Sequence, residues 1–177
     1  DSFKPLDKEE YDKVIDSAIQ PKDGPLKMGE VVTEVSNQSP SDSVLVTDVG
    51  LNQMFASRYF KYRSPRSIVT SGGLGTMGFC MPAAISATFG APERMVLAFF
   101  GDGGFQMNIQ ELGTIMENQA PVKMILMNNT YLGNVRQWQQ MMFESRYSCT
   151  HMMNPDYSKI AAAYGIPYIM VADRSQL

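Results

Sequence analysis

Four short runs along the chain are apolar at successive positions rather than at alternate ones: Val44–Thr47, 96–100, Val122–Met127 and 168–171. A strand with one wet face alternates, so the lack of alternation predicts strands buried on both faces. Between these runs the apolar positions recur three or four residues apart. Met28, Val31, Val32 and Val35 form one helical face, and further helices are expected over 76–89, 106–117 and 132–143. A last helix has Pro155 in its first turn and Gly165 just past its end. Near the start, Asp7 and Glu10 read as a capping box with Leu6 and Tyr11 as its hydrophobic staple. Tyr11, Val14, Ile15 and Ala18 then repeat at helical spacing.

A Pro- and Gly-containing turn over 21–25 separates that first helix from the rest. The chain therefore divides into an N-terminal helix and linker, 1–25, and a compact unit, 26–177. Strands and helices alternate within the unit, which predicts an α/β fold with a mostly parallel sheet and helices on both faces. Ligand sites in such sheets lie beyond the carboxyl ends of the strands. The sequence contains no internal repeat and no low-complexity segment.

Composition narrows the function classes. The 177 residues are 44% hydrophobic and 19% charged, and no apolar run approaches the length of a bilayer-spanning helix, so no membrane partner is expected. The 15 basic and 18 acidic residues give a net charge of −3 without any basic tract, which argues against nucleic acid. An anionic ligand would need a local device, either a metal ion or helix N-termini. Cys80 and Cys149 fall in a helix-like and a loop-like context without metal-ligand spacing, and His151 is the single histidine. Zinc chemistry and a Ser-His-Asp triad are thereby disfavoured, and a reducing, cytoplasmic setting is expected. A chain that opens on Asp1 and stops at Leu177 just after an apolar run is expected to be part of something larger.

Five segments carry candidate chemistry. Phe99, Phe100, Gly101, Asp102, Gly103 and Gly104 run from a strand into a glycine turn with one carboxylate. Glycines allow close backbone approach to a phosphate, and the next helix offers unpaired amides. Met127, Asn128, Asn129, Thr130 and Tyr131 end the following strand, and parallel pairing would bring them beside Asp102. Mg²⁺ takes oxygen ligands from one or two carboxylates plus phosphates, which suits Asp102 with the Asn129 amide oxygen. Each motif alone is also a common turn. Upstream, Ser71, Gly72, Gly73, Leu74, Gly75, Thr76, Met77, Gly78 and Phe79 place glycines and one flexible methionine between a short strand and a helix. The segment 48–54 includes Gly50, Leu51 and Asn52, and the segment 135–140 includes Trp138, the single tryptophan.

Taken together, Gly-Asp-Gly, the 24 residues Gly104 to Met127, and Asn-Asn resemble the signature of thiamine-diphosphate enzymes. The wider pattern, from about Leu26 to Val171, resembles the acetolactate synthase family. The resemblance implies a Rossmann-like three-layer sandwich, the thiamine-diphosphate-binding fold. It also implies Mg²⁺ on Asp102, Asn129 and the Tyr131 main-chain carbonyl, with Gly50, Asn52, Gly101, Gly103, Gly104 and Leu132 around the diphosphate. By the same resemblance, Met77 is the wedge that bends the cofactor, Gly75 and Met77 meet its pyrimidine edge, and Trp138 lines a substrate channel. That family usually has Gln-His where this chain has Leu51 and Asn52; Asn52 can donate a hydrogen bond there and Leu51 cannot.

For the complete enzyme the resemblance implies decarboxylation of pyruvate and condensation with a second small 2-keto acid, in branched-chain amino acid biosynthesis. Implied too are a homo-oligomer, dimer or tetramer, whose partner supplies the glutamate facing the pyrimidine, and FAD in the full-length enzyme only; the resemblance also allows a regulatory subunit as a partner. The chain by itself is then expected to be inactive. Two alternatives stay open: another thiamine-diphosphate carboligase or decarboxylase, and a cofactor-free subunit-assembly domain. A nicotinamide-binding reading is set aside, because no Gly-x-Gly-x-x-Gly follows the first strand.

Overall fold

A computed structural model describes residues 4–21 and 23–177. The N-terminal helical run comprises α1 (Lys4–Glu10), a π-helical turn (Tyr11–Ile15) and α2 (Asp16–Ile19). Helical backbone is already present at Lys4, so Asp7 lies inside the helix and the expected capping box does not form. The run is anchored by an ion pair from Glu10 to Arg58, and Lys27 Nζ donates to the Ser17 carbonyl at 3.0 Å.

The chain continues as α3 (Met28–Gln38), β1 (Val44–Thr47), α4 (Leu51–Tyr59), β2 (Ile68–Thr70), α5 (Cys80–Gly90) and β3 (Val96–Gly101). It then passes through α6 (Asp102–Met107), a 3-10 turn (Ile109–Glu111), α7 (Leu112–Asn118), β4 (Val122–Met127), α8 (Gly133–Met142) and α9 (Tyr157–Ala163). The four strands form one sheet in the order β2-β1-β3-β4, and every pairing is parallel.

Successive strand residues point to opposite sides, and the core divides accordingly. Val44, Val46, Val96, Ala98, Phe100 and Val122 meet α5, α6, α7 and α9 on one face. Leu45, Leu97, Phe99 and Met127 meet α3 and α4 on the other. This is the expected three-layer α/β arrangement. Leaving β1 the chain moves to β2 on one side, and leaving β3 it moves to β4 on the other, so a crevice opens between the carboxyl ends of β1 and β3.

Three expectations fail in detail. The helix expected over 76–89 starts only at Cys80, because Gly75 and Gly78 adopt positive φ of 62° and 83° and hold the preceding residues in a loop. The helix expected over 106–117 is interrupted at Asn108, whose side chain turns away to donate to the Gly78 carbonyl at 2.8 Å. The run 168–171 is not a strand. It makes no ladder with β4, and Ile169 is 85% exposed, so its apolar character does not reflect burial in this fold. Pro155 lies just before α9, where the Asp156 side chain caps the helix by accepting from the Ser158 and Lys159 amides.

Candidate cofactor site

Register does most of the assembly. Pairing of β3 with β4 sets Gly101 opposite Met127, so the turn beginning at Asp102 and the loop beginning at Asn128 leave the sheet side by side. Pairing of β1 with β3 brings Asp48 level with them, its amide bonded to the Phe99 carbonyl at 2.9 Å. At this edge lies a cavity of about 190 Å³. Gly50, Asn52, Gly75, Met77, Gly101, Asp102, Gly103, Gly104, Asn129, Tyr131 and Leu132 all line it. Of the candidate site residues, only Trp138 is not among the lining residues. It stands half exposed on α8, a helix with no buried residue, while Asn134 and Val135 from the first turn of α8 do reach the cavity.

Asp102 is 1% exposed, yet it is not spent on an ion pair. Its Oδ1 accepts from the Gly103 amide at 3.0 Å, and its Oδ2 accepts from the Thr130 amide and from Asn154 Nδ2, both at 2.7 Å. A carboxylate offers about four lone-pair positions, so one of them, on Oδ1, remains for a cation.

The loop opposite is strained to reach it. Thr130, a β-branched residue, adopts φ of 60°, and the bond from its amide to Asp102 is what that conformation makes possible. Asn129 Oδ1 accepts from the Tyr131 amide at 3.0 Å, which fixes the amide oxygen and leaves its second lone pair open. An antiparallel bridge joins Tyr131 to His151 through the amides and carbonyls of their neighbours: Leu132 N to Thr150 O and Met152 N to Thr130 O, each 2.8 Å. The bridge therefore does not consume the Tyr131 carbonyl. His151, the single histidine, packs edge-on against the Tyr131 ring.

Asp48 braces the site from behind the cavity wall, a role not visible in the sequence. Wholly buried, it accepts from the amides of Val49 (2.8 Å), Gly78 (3.1 Å) and Cys80 (3.1 Å). It thereby caps α5 from a distant strand and ties the methionine loop to β1. The same carboxylate explains Gly104, where a Cβ would stand 2.1 Å from Asp48 Oδ1. Gly103 faces the cavity side, and a Cβ there would meet Leu132 Cδ2 at 2.8 Å and Met77 Cε at 3.4 Å. Met77 thus projects toward the glycine turn.

Asn52 is 2% exposed; its Nδ2 donates to the Val49 carbonyl at 3.3 Å, and its Oδ1 has no partner. A buried polar atom left unpaired in a cavity wall calls for a ligand group. Leu51 packs where a Cβ on Gly133 would come within 2.6 Å, so this apolar residue supports the start of α8. Burial, and then the neighbouring Asp102 charge, push the Tyr157 hydroxyl up to about 12, so it stays protonated and receives a hydrogen bond from Gln106.

Comparison with known proteins agrees with this geometry. Residues 48–177 match the family described as thiamine pyrophosphate enzyme, C-terminal TPP binding domain. The chain belongs to this family. It is 46% identical over 137 residues, 77% of the chain and 25% of the relative, to acetolactate synthase isozyme 2 large subunit of Escherichia coli (strain K12). It is 43% identical over 155 residues, 86% and 23% of the two chains, to the mitochondrial acetolactate synthase of Schizosaccharomyces pombe. Against acetolactate synthase large subunit of Lactococcus lactis subsp. lactis the identity is 40% over 151 residues, 85% and 26% of the two. The chain spans about a quarter of the length of these relatives.

The donor set suits the diphosphate half of the TPP-binding family's cofactor. Among the lining residues, the Asp102 carboxylate, the Asn129 amide oxygen and the Tyr131 carbonyl are hard oxygen donors of the kind that Mg²⁺ accepts while retaining water.

Proposed function

We propose that this chain is the cofactor-anchoring domain of an acetolactate synthase, which joins pyruvate to a second small 2-keto acid after decarboxylation. The observation that carries the proposal is the meeting of Asp102 with the 128–131 loop in one cavity beside two glycines. The thiazolium of bound thiamine diphosphate supplies the electron sink for decarboxylation and condensation.

The chain's own residues bind and orient. Asp102, the Asn129 amide oxygen and the Tyr131 carbonyl would hold Mg²⁺, which offsets the diphosphate charge in a chain that is itself net negative at −3. Gly104 leaves its backbone amide open to a phosphate oxygen at the start of α6, whereas the Gly103 amide is held by Asp102 Oδ1 and Gly103 contributes by its lack of a side chain. Gly50 and Asn52 approach the same group from β1. Met77 and Gly75 occupy the far wall, where Met77 would set the bend of the cofactor. The pyrimidine-side glutamate would come from a second copy of the complete protein, and FAD from regions outside this chain.

Titration of the full chain with thiamine diphosphate and Mg²⁺ tests the reading, with melting temperature as the readout. Ligand at about 100 times its dissociation constant stabilises the folded state by about 2.7 kcal/mol. Asp102→Ala is expected to abolish the Mg²⁺-dependent part of this shift. Retained Mg²⁺-dependent stabilisation in that variant would contradict the metal assignment.

A further inference from the structure

Asn154 lies 52 residues from Asp102 in sequence, on the segment leading into α9, and belongs to none of the motifs above. Its Nδ2 donates both to Asp102 Oδ2 at 2.7 Å and to Asn128 Oδ1 at 2.8 Å, so one amide joins the glycine turn to the Asn-Asn loop. Its own oxygen accepts from Gln106 Nε2 at 2.9 Å, a residue one turn along α6 from Asp102. This orientation is dictated by chemistry. With the amide reversed, its oxygen would face two other acceptor oxygens and its NH₂ would face the Gln106 donor.

We propose that Asn154 is a positioning residue that selects which oxygen of Asp102 meets the metal. Together with the Thr130 amide it fills both lone pairs of Oδ2, leaving the open position on Oδ1. Gln106 acts one step further back by keeping the donor side of Asn154 toward the carboxylate. The inference rests on the metal-binding reading of Asp102 given above. It extends that reading to a segment that contributes no ligand. Partners of metal ligands fix carboxylate orientation, and their loss typically weakens metal binding by about 10- to 100-fold.

The test is Mn²⁺ binding to the full chain with saturating thiamine diphosphate, followed by electron paramagnetic resonance, which reports free and bound ion separately. Asn154→Ala is expected to weaken Mn²⁺ binding by about 10- to 100-fold and to broaden the bound-ion spectrum as the ligand sphere loses its fixed carboxylate. Gln106→Leu is expected to show a smaller change in the same direction, and it decides the matter if Asn154→Ala does not fold. A purely structural role would lower the melting temperature of the metal-free protein and leave affinity and spectrum alone; that result would overturn the proposal. Asp102→Ala separates the two levels of argument. Loss of Mn²⁺ in Asp102→Ala with normal binding in Asn154→Ala would overturn the positioning role only, whereas normal binding in Asp102→Ala would overturn both.

Discussion

At the scale of single residues, the site depends on two buried carboxylates with different tasks. Each accepts three hydrogen bonds: Asp48 takes three backbone amides and organises the loops behind the site, whereas Asp102 lines the cavity with a position on Oδ1 open. The commitment of Asp48 makes Gly104 the least replaceable glycine of the turn. A methyl group there would overlap a carboxylate that its amide partners prevent from moving away. Gly104→Ala is accordingly expected to lower stability by about 3 kcal/mol, the upper end of ordinary overpacking costs. Urea denaturation checks this, and an unchanged midpoint would show that Asp48 yields more easily than its hydrogen bonds indicate.

At the scale of elements, the start of α3 is held by the Lys27 amide, which donates to Glu30 Oε2 at 2.8 Å. Glu30 is also paired with Arg174 near the C-terminus, across 144 residues of sequence. The Arg174 hydrogen bond foremost, with help from the Lys27 amide, holds the Glu30 carboxyl below its ordinary value of 4.5. A depressed carboxyl favours the folded state above its unfolded value, and that contribution fades as pH falls through the lowered one. Thermal melts of wild type and Arg174→Met should therefore differ at neutral pH and converge as pH falls through the lowered Glu30 value. A gap that stayed constant with pH would assign the effect to packing of the arginine stem instead.

At the scale of the whole molecule, the apolar sequence 168–171 stands apart from the sheet. A residue exposed to 85% contributes little to folding, whatever its hydrophobicity. Ile169→Lys in this chain should shift the denaturation free energy by less than about 0.5 kcal/mol, as for other exposed positions. A loss several times larger would mean that the segment is buried against β4 after all. The cavity, by contrast, sits where the topology demands, at the point where connections diverge from β1 and β3.

The amino-acid order alone determined β1, β3 and β4, the glycine turn after β3 and the placing of Asp102 beside the Asn129 loop. Local rules carry these: consecutive apolar residues make doubly buried strands in β1 and β3, though β4, at the sheet edge, leaves Lys123 exposed, and parallel neighbours deliver their carboxyl ends to one edge. Family membership was legible for the same reason, since Gly-Asp-Gly and Asn-Asn keep a fixed spacing across one strand-helix-strand unit. Only the tertiary structure decided that Asp48 caps α5, that Asn154 clasps Asp102, that Trp138 is half exposed and that 168–171 is not a strand. These outcomes depend on contacts, made or missing, between residues tens of positions apart. Asn154 precedes a proline and an aspartate that announce a helix, and nothing in that local pattern says which carboxylate its amide will meet once the chain has folded.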